Sequence, residues 1–455
     1  MPDLRKMAWC DDPLAWLRDR GGTASVDLVT AVGEHGGGLF TTRAVAAGTR
    51  LLTVPASLML MASEEKGEDE KELHEGCRLC LRLLAERTRG ADSRLHGWIE
   101  SLPTLFDTPL HWPEEQLPAL GCPLLIAQVT EERETLRQLI AALQSKHHPS
   151  LDAASYLWAY SIVQSRGFSV VATGDGETRW ALVPAADFLN HAAEANVDAE
   201  WSAEEQAYTY TARRDLARMD ELFITYGRHD DALLLSQYGF LLADNPHARV
   251  RLALVDDGAT AAGADASEGS TDVEGDAEWL EQNDLADADL RALDAAAEPT
   301  FELLCALRLR HATAAERQQG AAFRILEGEV VSAANEARVR RDVRALVGAR
   351  LQALALGEVV RESAAHRALY VQIHREPSSH PDDAVPAERQ RLAREWRSGQ
   401  RRLLQAALAA LDGHAQADAS ALAAATVAAA AAAAAATAKA AAAAKQGPRK
   451  RRRAS

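Results

Sequence analysis

The chain has 455 residues, 47% of them hydrophobic and 25% charged, which is a globular balance. At roughly 150 residues per domain it holds two or three domains. A net charge of −16 argues against a nucleic-acid partner and favours a basic one, such as a Lys-rich protein segment.

The N-terminus lacks the apolar core of a signal peptide. Its Asp3, Asp11, Asp12 and Asp19 are unlike a transit peptide. No uninterrupted apolar stretch is both long and hydrophobic enough for a bilayer span of about 20 residues; the alanine tract near the C-terminus has the length but not the hydrophobicity. The expected setting is therefore intracellular, in cytoplasm or nucleus, with the chloroplast left open and no membrane association. Cys10, Cys77, Cys80, Cys122 and Cys305 are an odd, scattered set, read as reduced thiols.

Residues 7–21 predict a short amphipathic helix ended by Gly21 and Gly22, within an N-terminal segment 1–23. Residues 26–32 alternate as a strand, 33–38 read as a turn, and 39–42 resume extended structure. A further short strand, 51–54, closes on Pro55. From 63 to about 160 the pattern is helical, with amphipathic helices at 68–87, 124–144 and 152–164 and a proline-punctuated connector between the first two. Cys77 and Cys80 form a lone CxxC, and helical spacing with Leu73, Leu81 and Leu84 puts Cys77 on a buried stripe. No second CxxC or paired histidines complete a zinc site, so no metal is expected.

After the segment SRGF (165–168), residues 179–184 are extended, and LVPAADFLNH (182–191) brings Asp187, Asn190 and His191 close together. An Asn-His pair after an apolar run is commonly a helix end or turn. Residues 208–211 and 221–226 read as strands, the second ending in Tyr226 and Gly227. Residues 231–238 are helical and lead into YGF (238–240). Residues 255–278 are acidic, small and Gly-rich, a composition that buries no core and reads as a linker over 251–278. From 279 to 412 apolar stripes repeat at helical spacing. Residues 413–455 are Ala-rich and end in PRKRRR (448–453), either a solvated tail or a nuclear-import patch.

Four segments in this order, GGGLF, SRGF, DFLNH and ITYG followed by YGF, resemble the SET-domain methyltransferases. The wording WIESLP and TPLHWPEEQL further resembles the subgroup holding the Rubisco large-subunit methyltransferase and the actin histidine methyltransferase. The resemblance implies an α+β architecture. A SET β-fold over 24–250 carries a pseudoknot and a helical insertion at about 63–160, and an all-helical substrate-binding domain follows over 279–412. Chain threading of the pseudoknot kind is rare.

The resemblance also implies an S-adenosylmethionine-dependent transfer of methyl to a lysine amine of a non-histone protein, by a monomer that needs no metal. Tyr226 would be the catalytic tyrosine. His35, Gly36, Gly37, Arg166, Asn190 and His191 would hold the methyl donor, Arg166 offering a planar fork to its carboxylate. Asp187 would face the incoming peptide, or else cap the turn that follows it. Phe168 and Tyr238 would wall the amine channel. The family often carries a larger residue where Gly167 stands and an acidic one near His35, departures that bear on contacts to substrate and donor more than on the chemistry. Two alternatives remain: histidine methylation, and a SET docking module without catalysis. Phe168 favours lysine, because the actin histidine enzyme carries a polar asparagine there, and a phenyl ring gives an imidazole nitrogen no partner. An unpaired, dry nitrogen costs about 1–3 kcal/mol.

Overall fold

A computed structural model describes residues 12–62, 73–146, 148–171, 178–252, 273–286, 292–356 and 387–414. The expected Ala-rich tail, its basic end, most of the acidic linker and the first turn of the N-terminal helix lie outside these residues. Among the described residues no helix is long and apolar enough to cross a membrane. The chain divides into two units. The first lies within residues 1–117, 127–246 and 361–392, the second within 118–126, 247–360 and 393–455.

The first unit opens with helix α1, Pro13–Asp19. It starts at Pro13 because the Asp12 side chain accepts from Leu14 N–H and proline suits the first helical position. Strands β1 (Thr23–Ala24), β2 (Leu28–Gly33), β3 (Gly36–Thr41) and β4 (Arg50–Pro55) follow. The glycine run 36–38 is part of β3, not a turn: Gly33 pairs with Gly36, which leaves only Glu34 and His35 to reverse the chain. Gly36 has φ +85°, open to glycine at little cost.

Next come β5 (Leu60–Met61) and the helical insertion, with α2 (Glu75–Arg89), α3 (His96–Ile99), α4 (Pro123–Lys146) and α5 (Ala153–Arg166). The buried stripe of α2 is Leu79, Cys80 and Leu83, so Cys80 faces the core and Cys77 is only half-buried, one helical position off the sequence expectation. Asp152 caps α5 by accepting from Ser155 N–H at 2.8 Å. Arg166 is therefore the last residue of a helix, and Gly167 and Phe168 begin β6 (Gly167–Val171).

The remaining strands of the unit are β7 (Thr178–Leu182), β8 (Asn190–His191), β9 (Val197–Ser202), β10 (Ala207–Ala212) and β11 (Phe223–Ile224), and the short helix α6 (Asp231–Leu233) comes after them. They give sheets in the order β1-β4-β10-β9 and β5-β7-β6, beside the hairpin β2-β3. Strand β9 is new relative to the sequence reading, and its row of exposed Asp198, Ala199 and Glu200 masks any alternation. The core runs through Leu14, Leu17, Leu39, Leu52, Leu83, Trp98, Ile162, Leu182 and Leu222.

Strand β11 lies parallel to β8, Phe223 opposite Asn190 and Ile224 opposite His191. The residues just before it pair with β3: Leu222 N–H donates to Leu39 O at 2.8 Å, and Thr41 N–H donates to Asp220 O at 3.0 Å. The segment ending in Tyr226 thus passes between the glycine hairpin and the Asn190-His191 pair, which is the pseudoknot. It is shorter as a strand than residues 221–226 suggested, because both its flanks are occupied for only a few residues.

The second unit is mainly helical: α7 (Val273–Gln282), α8 (Phe301–Arg310), α9 (Ala314–Gln318), α10 (Ala321–Leu326), α11 (Ala333–Leu356) and a final helix Ala387–His414 that belongs to it from residue 393. Leu303, Leu307, Val339, Val343, Val347 and Leu404 form its core. Two findings depart from the sequence reading. Helix α7 begins inside the expected linker, and a short pair, β12 (Val250–Arg251) with β13 (Ala292–Leu293), closes the unit's start.

Candidate functional site

The segment VPAADFLNH reaches its position through a strained turn. Ala185 sits at φ +68°, fully buried, and a short 3-10 turn Ala186–Phe188 leads into β8. Such backbone costs of order 1–3 kcal/mol and persists only where its surroundings hold it. The parallel register of β8 and β11 then sets the first pair of contacts. Tyr226 N–H donates to His191 Nδ1 at 3.0 Å, and the Tyr226 hydroxyl donates to Leu189 O at 2.8 Å. The two rings stack with centroids 5.1 Å apart.

Tyr238 lies 5.0 Å from the Tyr226 ring, and Phe240 lies 6.5 Å from Tyr226 and 6.0 Å from Tyr238. Gly227 has φ +134°, and a Cβ there would fall 2.6 Å from the His229 ring. His229 Nε2 is 2.8 Å from Tyr226 O. A carbonyl only accepts, so that nitrogen carries the proton. Burial pushes the Tyr226 hydroxyl well above the usual tyrosine range, against the opposing pull of Arg166. The tyrosine is neutral at any physiological pH.

A second cluster forms between β3 and β8. Asn190 Nδ2 donates to Gly37 O at 3.2 Å and to Glu221 Oε1 at 2.7 Å. The other oxygen of Glu221 meets His35 Nδ1 at 3.0 Å. Glu221 is nearly buried while His35 is 45% exposed, so the imidazole is the outer edge of this cluster. Gly38 has no room for a side chain: a Cβ would lie 2.8 Å from Glu221 Oε1 and 2.9 Å from Asn190 Nδ2.

A third group surrounds Asp187. Its side chain has no exposed surface, and its carboxylate meets Trp98 Nε1 and Arg166 Nη1 at 3.3 Å each. The closest partner of Arg166 is the backbone: Nη1 donates to Asp187 O at 2.5 Å. This corrects the expectation that Asp187 faces a peptide, because a carboxylate sealed from solvent behind Trp98 and Arg166 offers nothing to an incoming chain. Arg166, which it touches, keeps 23% of its side chain exposed.

Of the residues singled out in the sequence, Asn190, His191, Tyr226 and Tyr238 converge, and His35, Gly36 and Gly37 lie on the hairpin that meets Asn190. Phe168 is half-buried on β6 opposite Ala181 and packs against the core. Among the described residues it makes no ring contact with Tyr226, whose aromatic neighbours include His191, Tyr238 and Phe240. Glu221, Gly38, Phe240 and His229 were missed. Phe240 stood in the quoted YGF and Glu221 at the head of ELFITYG, but neither position announces a partner. Among the described residues no group of His, Cys, Asp and Glu is arranged to hold a metal ion.

Residues 36–227 match the SET domain family. The chain is similar to "SET domain-containing protein 4" of Artemia parthenogenetica, 25% identical over 237 residues, covering 49% of this chain and 60% of that protein. It is equally similar to "Actin-histidine N-methyltransferase" of Mus musculus, 25% identical over 272 residues, covering 55% of this chain and 46% of that one. The chain thus spans less than two thirds of the length of these relatives. Two solved structures share its fold at 20% identity: the SET domain of LSMT bound to lysine and AdoHcy, with TM-score 0.65 over 88% of this chain and 90% of that one, and Rubisco LSMT bound to AdoMet, with TM-score 0.63 over 88% and 91%. The ordered motifs and the passage of β11 between β3 and β8 agree with these matches: residues 36–227 match the SET domain, and the fold is that of the solved LSMT structures.

Proposed function

We propose that the chain is an S-adenosylmethionine-dependent protein methyltransferase that methylates a lysine of a non-histone protein, acting as a monomer and without a metal. The observation that carries this is the state of Tyr226. Its proton is committed to Leu189 O, and burial keeps it neutral. Toward a substrate its oxygen only accepts. Accepting an N–H from a neutral amine leaves the nitrogen lone pair free to be aimed at an electrophile.

The methyl donor supplies an electrophilic methyl group on a positively charged sulfur, with a neutral sulfur as leaving group. The residues present fit such a molecule. The side-chain-free backbone at Gly38, the amide of Asn190 and the partly exposed fork of Arg166 suit its amino-acid arm. At pH 7 roughly one lysine in 2,500 is neutral. The half-buried walls of Tyr226, Tyr238 and Phe240 favour that form by withholding water. Their faces also attract the methylated ammonium that forms.

A second proposal is methylation of histidine, supported by the name of the mouse relative. Phe168 speaks for lysine, since it offers an imidazole no hydrogen bond, although among the described residues it makes no ring contact with Tyr226. The test begins with labelled methyl donor and a cell extract, and identifies the labelled protein by mass spectrometry. Peptides from that protein with Lys or His at the target position are then offered to the wild type and to Phe168→Asn. Faster methylation of the His peptide by the wild type would reject the lysine assignment, and no labelling at all would reject the enzyme.

A further inference from the structure

Asn190 has two N–H donors and one carbonyl acceptor. Both donors are taken, by Gly37 O and by Glu221 Oε1. These two neighbours accept only, so an amide flipped the other way would press its oxygen against two oxygens. Among the described residues Oδ1 of Asn190 has no protein partner. It is an acceptor whose direction is set by what holds the nitrogen.

Glu221 is itself held firmly. Its Oε2 meets His35 Nδ1 at 3.0 Å, its carbonyl accepts from Asn196 Nδ2 at 2.8 Å, and its backbone bridges Phe40. The hairpin is bare around it: a Cβ on Gly38 would come to 2.8 Å from Oε1 and one on Gly33 to 3.3 Å from Oε2.

We propose that Glu221 is a positioning residue that locks the Asn190 amide so that Oδ1 accepts from the ammonium of the methyl donor's amino-acid arm. This rests on the methyl-donor assignment above. The lock needs the reach of Glu221 and not its charge, and it concerns the amino-acid arm and not the nucleoside.

Calorimetry with two ligands and two variants separates these points. The ligands are S-adenosylmethionine and 5′-methylthioadenosine, which keeps the nucleoside and sulfur but lacks the amino-acid arm. Glu221→Gln keeps an oxygen at the same reach and loses the charge, whereas Glu221→Asp keeps the charge and withdraws the oxygen by one methylene. In Glu221→Asp the affinity for S-adenosylmethionine should fall by about ten- to a hundredfold, the scale of one lost hydrogen bond to a charged group. Methylthioadenosine should stay within about threefold, and Glu221→Gln should bind both ligands nearly as the wild type does. Equal losses for both ligands, a loss in Glu221→Gln with retention in Glu221→Asp, or unchanged affinity in Glu221→Asp would each overturn the lock. A wild-type protein that binds neither ligand overturns the methyl-donor assignment, and the lock with it.

Discussion

Removing the charge of Asp187 should not weaken the fold at neutral pH. The carboxylate is sealed from solvent, and its contacts to Trp98 and Arg166 all measure 3.3 Å, longer than a strong charge-assisted bond. Burial therefore wins: it raises the Asp187 carboxyl above the usual range, with Arg166 and Trp98 only partly opposing it. A raised folded-state pKa means that this group's contribution to stability is present below the unfolded value and is lost as pH rises through the folded one. At pH 7, where the unfolded chain leaves this carboxyl freely solvated, burying it is thus a net cost. Asp187→Asn mimics the protonated form and still accepts from Trp98, so its unfolding free energy at pH 7 should equal or exceed that of the wild type. Replacing buried ion pairs by neutral groups often behaves this way. Asp187→Ala differs, because it leaves the Trp98 indole N–H unpaired and opens a cavity. It should cost about 2–3 kcal/mol, discounted from the full buried-pair figure because Arg166 is 23% exposed and keeps its bond to the backbone carbonyl. Urea unfolding followed by tryptophan fluorescence, at pH 5 to 8, reads both. The advantage of Asp187→Asn should shrink as pH falls. A loss above about 2 kcal/mol in Asp187→Asn at pH 7, or an advantage that grows on acidification, would show that the ionised pair stabilises the protein after all.

Two further outcomes follow from the site. Tyr226→Phe keeps the ring stack on His191 and removes the oxygen that would orient the amine; turnover should fall about ten- to a thousandfold, with donor affinity nearly unchanged, in single-turnover assays paired with calorimetry. Gly38→Ala puts a methyl 2.8 Å from Glu221 Oε1; donor binding should weaken at least about tenfold at a stability cost of about 1–3 kcal/mol, and wild-type affinity in a folded variant would mean that the hairpin yields.

The order of the motifs carried the fold, because each motif marks one strand or turn that must meet the others. Tyr226 and His191 were legible in this way. Glu221 was not: a carboxylate at the head of a strand is usually a solvated residue, and only the bridge to Phe40 across the hairpin turns it inward. Asp187 was misjudged for the converse reason. Its neighbours Asn190 and His191 face the site, but the 3-10 turn at Ala186–Phe188 rotates the intervening side chains, and Asp187 points to Trp98, 89 positions earlier in the chain. Spacing along one segment cannot report that partner. The glycine run was read as a turn because glycine suits turns; its third member is there because Glu221 and Asn190 fill the space a side chain would need.

The parallel pairing of β8 with β11 is what makes these separate features one site. With Phe223 opposite Asn190 and Ile224 opposite His191, the next outward residue, Tyr226, meets both the ring of His191 and the carbonyl of Leu189. In the same register Glu221 lies two residues before Phe223, and its side chain reaches back to the amide of Asn190. A slip of one residue would turn Tyr226 to the opposite face. It would also move Glu221 away from Asn190. The two-residue length of each strand is too small to fix such a register alone. It is fixed by side chains at its ends: Asn196, whose Nδ2 donates to Glu221 O and whose Oδ1 accepts from Phe223 N–H at 2.7 Å, and His191, which accepts from Tyr226 N–H. Asn196 is buried, and the alignment of Tyr226 with the amide of Asn190 depends on it.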